Sequence, residues 1–379
     1  MLSDLGNLLG WHDLYVMFGS CLGCLTLLVI GRRLPAVFGG ASRLMAIQAV
    51  HVNPTPRVGG VAIFLSLVAG ALLSFGDATP TFAQFFVATS VLFVAGLLED
   101  IGFAVSPRRR LLAATLASLI VVSMLGVSLH GLDFGPLDRL LAFGPLSIAF
   151  TILITAGCAN AFNLIDGLNG LASFAAVIAA LSLAAIASNA GAYDLAHLCL
   201  ILSASLGGFL VLNFPFGKIF LGDAGAYTIG FLLAWVGVAL VDWAPHVSPW
   251  AVLLTLFWPL AETLFTIVRR LRLRRSAMRP DRMHFHHVVL RSLEICALGR
   301  RRRHVANPLA TVLILPFVGA PAGFGVMLWN DSGSAFWVVL AFCGVYGASY
   351  ATLVRVARRH RRHLSADGDD IRGAVRAGA

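Results

Sequence analysis

Charge is what this chain has least of: only 12% of its 379 residues are Asp, Glu, Lys or Arg, against about 25% in a soluble domain. Lysine is nearly absent, Lys218 standing alone beside 27 arginines, a bias of composition and not of function. No polar stretch is long enough to form a soluble domain. The net charge of +10 therefore has no surface on which to hold a duplex, and a nucleic-acid role is set aside. No period of roughly 20–50 residues recurs, which excludes a repeat architecture. The two halves hold no matching pair of broken apolar segments, the usual sign of a transporter. No Lys or Arg precedes the first apolar run, so no cleavable leader is expected. Of the six cysteines, five fall in apolar runs. Cys21 and Cys24 form a CxxC there, with no basic group near to make a thiolate. They read as small packing residues.

What the chain does have is apolar length: 58% of it is hydrophobic, with a mean hydropathy of +0.85. Apolar runs of roughly 20 residues match the thickness of a bilayer core. Inside a bilayer the backbone must satisfy itself in helices or a closed barrel. Long continuous runs, as opposed to short alternating ones, select helices. Eleven such segments are expected, at 12–30, 58–76, 81–99, 111–129, 144–162, 170–188, 195–213, 224–242, 249–268, 307–329 and 334–356. The expected fold is an all-α polytopic integral membrane protein of about eleven transmembrane helices. Residues 1–356 form one transmembrane domain, and the basic, small-residue-rich tail 357–379 is expected to be disordered.

Arginine orients these segments. Arg32, Arg33, Arg43 and Arg57 lie in the first loop, Arg108, Arg109 and Arg110 in the third, Lys218 in the seventh and twelve arginines in the ninth. Of the even-numbered loops and the N-terminus, only one residue, Arg139, is basic. The positive-inside rule makes the odd loops and the C-terminus cytoplasmic and puts the N-terminus outside.

Five carboxylates sit at or just beyond segment ends on that same side: Glu99, Asp100, Asp166, Asp223 and Asp281. An ionised carboxylate near hydrocarbon is costly and functional by default. Acid delivered to one face from four segments suggests a site for a cation and a phosphorylated ligand. In HVNPTPRVGGVAIF (51–64), Pro54 and Pro56 interrupt helix. Gly59 and Gly60 admit close backbone approach, and Arg57 adds a fixed cation. In LLEDIGFAVSPRRRL (97–111), the adjacent Glu99 and Asp100 ask for a cation, and Ser106 and Arg108 follow within reach of a phosphate.

NAFNLIDGLNGL (160–171) repeats polar residues every three positions: Asn160, Asn163, Asp166 and Asn169. Near neighbours at that spacing share a helix face, and Gly167 and Gly170 bend the chain beyond it. The stripe offers ligands for a hydrated metal or sugar hydroxyls, or else glue between helices. NFPFGKIFLGDAG (213–225) opens on Asn213 and turns at Pro215 and Gly217. Its Asp223 either caps a helix or binds Mg²⁺. RPDRMHFHHVVLR (279–291) gathers Asp281, Arg282, His284, His286 and His287. Their spacing fits no common zinc pattern. They read as donors for a phosphate or sugar, or as a basic loop against anionic lipid.

Taken in order, PRVGG, the acidic pair, NAFNLIDGLNGL, FLGDAG and DRMHFHH resemble the polyprenyl-phosphate N-acetylhexosamine-1-phosphate transferases, glycosyltransferase family 4. The resemblance runs from about residue 50 to 290. DRMHFHH is similar to the WecA-like branch; the MraY-like branch has three consecutive His. The resemblance implies transfer of a HexNAc-1-phosphate, GlcNAc-1-phosphate first, from a UDP-sugar to undecaprenyl phosphate. UMP is released, and the product is the lipid-linked first sugar of a cell-surface polysaccharide such as O-antigen. It also implies Mg²⁺, with Mn²⁺ as a substitute, and a bacterial inner-membrane location with the N-terminus periplasmic. A homodimer stays open.

By matching position, the resemblance makes Asp223 the metal ligand and Asp100, Glu99 and Asp166 the catalytic group. Substrate binding falls to Asn160, Asn163, Asn213, Arg57, Arg108, Asp281, Arg282, His284, His286 and His287. Two positions depart from the family pattern: Glu99 stands where Asp is usual, and Asn169 stands where a second Asp is usual. Asn169 is neither an anionic ligand nor a base. Two other readings stay open, an MraY-like phospho-MurNAc-pentapeptide transferase and a non-catalytic membrane homologue or lipid-phosphate transporter.

Overall fold

A computed structural model of the chain describes residues 10–33, 55–75, 80–103, 105–274 and 283–377. Among these residues every regular element is helical. In chain order they are α1 (Trp11–Arg33), α2 (Gly59–Phe75), α3 (Pro80–Asp100), α4 (Pro107–Leu125), α5 (Gly135–Leu141), α6 (Gly144–Ile165) and α7 (Leu171–Asn189). Then come α8 (Tyr193–Asn213), α9 (Gly222–Trp243), α10 (Pro249–Thr255), α11 (Phe257–Arg272), α12 (Phe285–Leu293), α13 (Arg303–Met327) and α14 (Ser332–Ala377).

Eight of these helices are long and apolar enough to cross a membrane, or nine if the bent pair α10–α11 is one span. Multi-pass membrane character therefore holds at that level. The short α2 and the arginine-led α4 fall outside that count. The ninth apolar segment of the sequence is not one helix. It bends by 85° between α10 and α11, and Pro259 explains where. Proline has no N–H to return to the carbonyl four residues back, here Thr255, the last residue of α10. The bend swings α11 aside and carries Glu262 and Thr266 to the end of the bundle where the motif loops gather.

The last helix runs on past residue 357 to Ala377. Ala and Arg, frequent there, are both favourable in helices.

α9 is the axis of the bundle, buried along nearly its whole length. Without a hydrophobic force between helices in lipid, close backbone packing holds them together, and small residues permit it. A Cβ on Gly230 would stand 2.8 Å from the Cys158 carbonyl of α6. The Ser118 and Thr155 hydroxyls join α4 to α6 at 2.9 Å. α9 begins at Gly222, so this packing fixes the position of the FLGDAG loop at its head.

Candidate active site

The loop before α2 and the loop before α9 form one backbone unit. Phe220 N–H donates to the Pro56 carbonyl at 2.8 Å, and Gly59 and Gly60 N–H donate to the Phe220 and Leu221 carbonyls at 2.9 Å each. Two glycines make the approach possible. A Cβ on Gly60 would lie 2.3 Å from Gly225 N. Gly222 has φ +77°, and its Cβ would lie 2.3 Å from the Arg57 carbonyl oxygen and 2.6 Å from Asp100 Oδ2. PRVGG and FLGDAG, far apart in sequence, are thus two walls of one site.

Asp100, the last residue of α3, lies behind that wall. Its side chain is fully buried. Oδ1 accepts from Asp223 N–H at 2.9 Å and Oδ2 from Ala224 N–H at 2.8 Å. A carboxylate on the open N–H groups of a helix start is favourable through both hydrogen bonding and the helix dipole. The sequence reading grouped Asp100 with the catalytic residues. In the structure both of its oxygens accept from the α9 backbone.

Asp223 stands in front. Its Oδ1 accepts from Asn163 Nδ2 at 2.8 Å and from Arg57 Nη2 at 3.3 Å. Arg57 Nε lies 3.7 Å from Asp100 Oδ1, so one guanidinium bridges two acids. Burial works against the Arg57 charge, but Asp223 and Asp100 outweigh it and hold its pKa above the usual value. Asp166 follows α6 at its C-terminal cap. Burial pushes its carboxyl up to about 7, with Arg57 opposing and the Asp223 charge adding to the rise.

Two mutually repelling carboxylates flanked by an amide fit a hard divalent cation. Mg²⁺ needs only one or two protein carboxylates when phosphate and water complete its shell. Among the described residues no three His, Cys, Asp or Glu side chains form a fuller metal cage.

Other expected residues divide between the site and its supports. Glu99 meets Arg110, with Nη1 3.2 Å from each Oε, and Arg110 lies 5.8 Å from the centre of the Tyr227 ring. Arg108 is exposed; the partly buried cation of that loop is Arg110, which the sequence reading passed over. Asn160 Nδ2 donates to the Ala156 carbonyl of its own helix at 2.7 Å. Asn213 is buried; its Oδ1 accepts from Gly170 N–H and its Nδ2 donates to the Ile219 carbonyl, both at 2.7 Å. These bonds tie two motif loops together.

Asn169 has the same character. Its Nδ2 donates to the Pro215 carbonyl at 2.7 Å, and its own N–H reaches Asn307 Oδ1 at 2.8 Å. An amide where an acid is usual here supports a loop. Asp281 and Arg282 lie outside the described residues.

The three histidines are not equivalent. His286 is fully buried, its Nδ1 2.7 Å from Glu262 Oε1. His284 Nδ1 lies 3.2 Å from Thr266 Oγ1 and 4.0 Å from Glu262 Oε1. His287 is partly exposed and packs on His286 with ring centroids 4.1 Å apart. A Cβ on Gly167 would lie 2.8 Å from His286 Nε2 and 3.3 Å from His287 Cε1. The histidines thus stand against the turn that carries Asp166. Burial pushes His286 down to about 3 and His287 to about 2, so both are neutral near pH 7. The sequence reading missed Glu262, although an acid inside the run 249–268 carried the same signal as the five it used.

Residues 82–241 match the family model described as Glycosyl transferase family 4. That stretch holds Glu99, Asp100, Asn163, Asp166 and Asp223. The chain is 30% identical over 367 residues to the decaprenyl-phosphate N-acetylglucosaminephosphotransferase of Mycobacterium tuberculosis, covering 87% of each chain. It is 28% identical over 321 residues to the undecaprenyl-phosphate alpha-N-acetylglucosaminyl 1-phosphate transferase of Yersinia pestis, covering 83% of this chain and 84% of that one. Against the protein of the same name from Salmonella typhi it is 30% identical over 302 residues, covering 76% and 77%. A likeness that spans most of both chains and takes in the acids around Arg57 has one meaning: this chain belongs to glycosyl transferase family 4.

Proposed function

We propose that the chain transfers GlcNAc-1-phosphate from UDP-GlcNAc to undecaprenyl phosphate, releasing UMP and leaving the first sugar of a surface polysaccharide on lipid diphosphate. One observation carries the reading: Asp223 is held by Asn163 and Arg57 at the head of a buried helix, with Asp166 and the histidines beside it. The names of the relatives support the same reaction.

Phosphoryl transfer is mostly positioning and neutralisation of charge. The acceptor is a phosphate monoester with a second pKa near ~6, so it is largely dianionic at neutral pH and needs little help from a base. Bringing two anions together is the larger problem. Arg57 lowers that cost at the acidic wall, and neutral His287 offers a donor beside the Asp166 turn. Asp100 fixes α9 so that Asp223 presents its carboxylate to the cleft. Asp223, with Asp166, would hold Mg²⁺, which when bound would supply charge neutralisation at the diphosphate. We favour a single displacement over an aspartyl intermediate on Asp100 or Asp166, since the acceptor phosphate is already largely dianionic.

The same reading gives eleven crossings, once the short α2, the arginine-led α4 and the bent α10–α11 pair each count as one. Arginine then places the site in the cytoplasm and the N-terminus in the periplasm, in the bacterial inner membrane.

The test is UMP release by the purified full chain in detergent, with undecaprenyl phosphate, Mg²⁺ and UDP-GlcNAc, beside Asp223→Ala. Release that depends on lipid and metal and disappears in the variant is expected. Asp223→Ala turning over at the wild-type rate in saturating Mg²⁺ overturns the ligand assignment. No release with any UDP-HexNAc overturns the reaction.

A further inference from the structure

We propose that Glu262 is a positioning residue, the carboxylate that sets the tautomer and orientation of His286 and through it the seat of His287 against the Asp166 turn. This rests on the functional reading above only in so far as the histidines face the substrate.

Glu262 sits in the first turns of α11, three residues past Pro259. Its side chain is fully buried, as is that of His286. Oε1 lies 2.7 Å from His286 Nδ1, and the backbone N–H of His286 points to the same oxygen at 3.4 Å. A backbone N–H only donates. An ionised carboxylate oxygen only accepts, so with Glu262 ionised Oε1 takes both bonds. Nδ1 therefore carries the proton, and Nε2 keeps its lone pair. The hydrogen bond made by one ring nitrogen decides the state of the other.

The other side of the ring offers no competing tether. Among the described residues Nε2 has no hydrogen-bond partner. It faces Gly167, where a Cβ would stand 2.8 Å away. Glu262 is thus the one polar contact that orients this ring among the described residues. A ring held by one bond turns when that bond goes.

The consequence passes to the neighbours. His286 stacks parallel to His284, 5.7 Å apart at 10°, and supports His287 at 4.1 Å. His287, the partly exposed ring, shares the Gly167 contact. A turn of His286 would displace His287 from the cleft wall beside Asp166. No proton moves and no bond forms at Glu262; it acts through the rings.

The experiment compares wild type with Glu262→Gln and Glu262→Ala by two readouts. The first is ¹⁵N NMR of histidine-labelled full chain in detergent, with His286 assigned by the loss of its signals in His286→Asn. The second is steady-state UMP release at varied UDP-GlcNAc. In wild type we expect one neutral tautomer, pyrrole-like at Nδ1 and pyridine-like at Nε2. Glu262→Ala should lose that pattern and lower kcat/KM for the sugar nucleotide by about 10–100-fold, the usual range for losing a partner that orients a histidine. Glu262→Gln keeps an acceptor of the same shape. It should retain the tautomer and recover most of kcat/KM.

A role in packing alone would lower the melting temperature and leave the tautomer and kcat/KM of the folded protein unchanged; that result overturns the proposal. So does wild-type His286 protonated at Nε2. Should Glu262→Ala not fold, the wild-type tautomer and Glu262→Gln still decide the matter. Should wild type release no UMP, the reaction falls, while the NMR still judges the positioning.

Discussion

Asp100→Asn separates a positioning carboxylate from a chemical one. The wild-type side chain accepts two backbone N–H bonds at the head of α9, at 2.9 and 2.8 Å, and is fully buried. Asparagine keeps one oxygen and turns an NH₂ toward the other N–H, so one charge-assisted bond is lost and two donors face each other. A hydrogen bond to a charged group is worth about 1.5–3 kcal/mol. Stability should therefore fall by about 2 kcal/mol. If all of that were felt at Asp223 in the transition state, turnover would fall about 30-fold. Because Asn163 and Arg57 still hold Asp223, the loss should be smaller than that limit. A general base in the same position predicts the reverse pattern, a loss of about 10²–10⁴-fold with stability intact. The assay pairs UMP release with thermal unfolding of the same preparation. A loss beyond a hundredfold with an unchanged melting temperature would refute the reasoning.

Two further outcomes follow from the same geometry. Gly222→Ala combines a left-handed φ of +77° with a Cβ 2.3 Å from the Arg57 carbonyl; the backbone conformation alone costs about 1–2 kcal/mol. The displaced Arg57 loop should lower turnover at least tenfold, and activity within twofold of wild type would show that the two loops are not coupled. Asp166 has its carboxyl raised to about 7 from an unfolded value near ~3.9. Between those pH values the native state binds more protons than the unfolded chain, so stability falls as pH rises through the window. Thermal unfolding without divalent cation should show that slope, and Asp166→Asn should flatten it; an identical slope in the variant would remove Asp166 as its cause.

Much of this site was legible as residue types at chain positions. Acids beside apolar runs, glycines next to them and arginine on one side suffice to collect Asp223, Asp166, Asn163 and Arg57 on one face. What linear sequence does not carry is depth. Asp100 and Glu99 are neighbours, yet one faces the α9 backbone and the other Arg110, because adjacent positions on a helix point about 100° apart. Asn213 and Asn169 tie motif loops together, and only the folded loops show which carbonyls take their amides. Glu262 was hidden by its setting. It lies inside an apolar segment that reads as one straight span, and the bend at Pro259 is what turns it toward the histidines.

That bend has a consequence for how such a chain can vary. On one side of the ninth loop stand Glu262, Thr266 and Arg269; on the other stand Met283, His284 and His286. Arg269 Nη1 donates to the Met283 carbonyl at 2.9 Å and to Tyr350 Oη at 2.8 Å. The ends of the loop are thus stapled beside the cleft whatever lies between them. A substitution at Arg269 that removes both bonds therefore reaches the histidines through the Met283 carbonyl, so the cleft varies at its staple as well as at its lining.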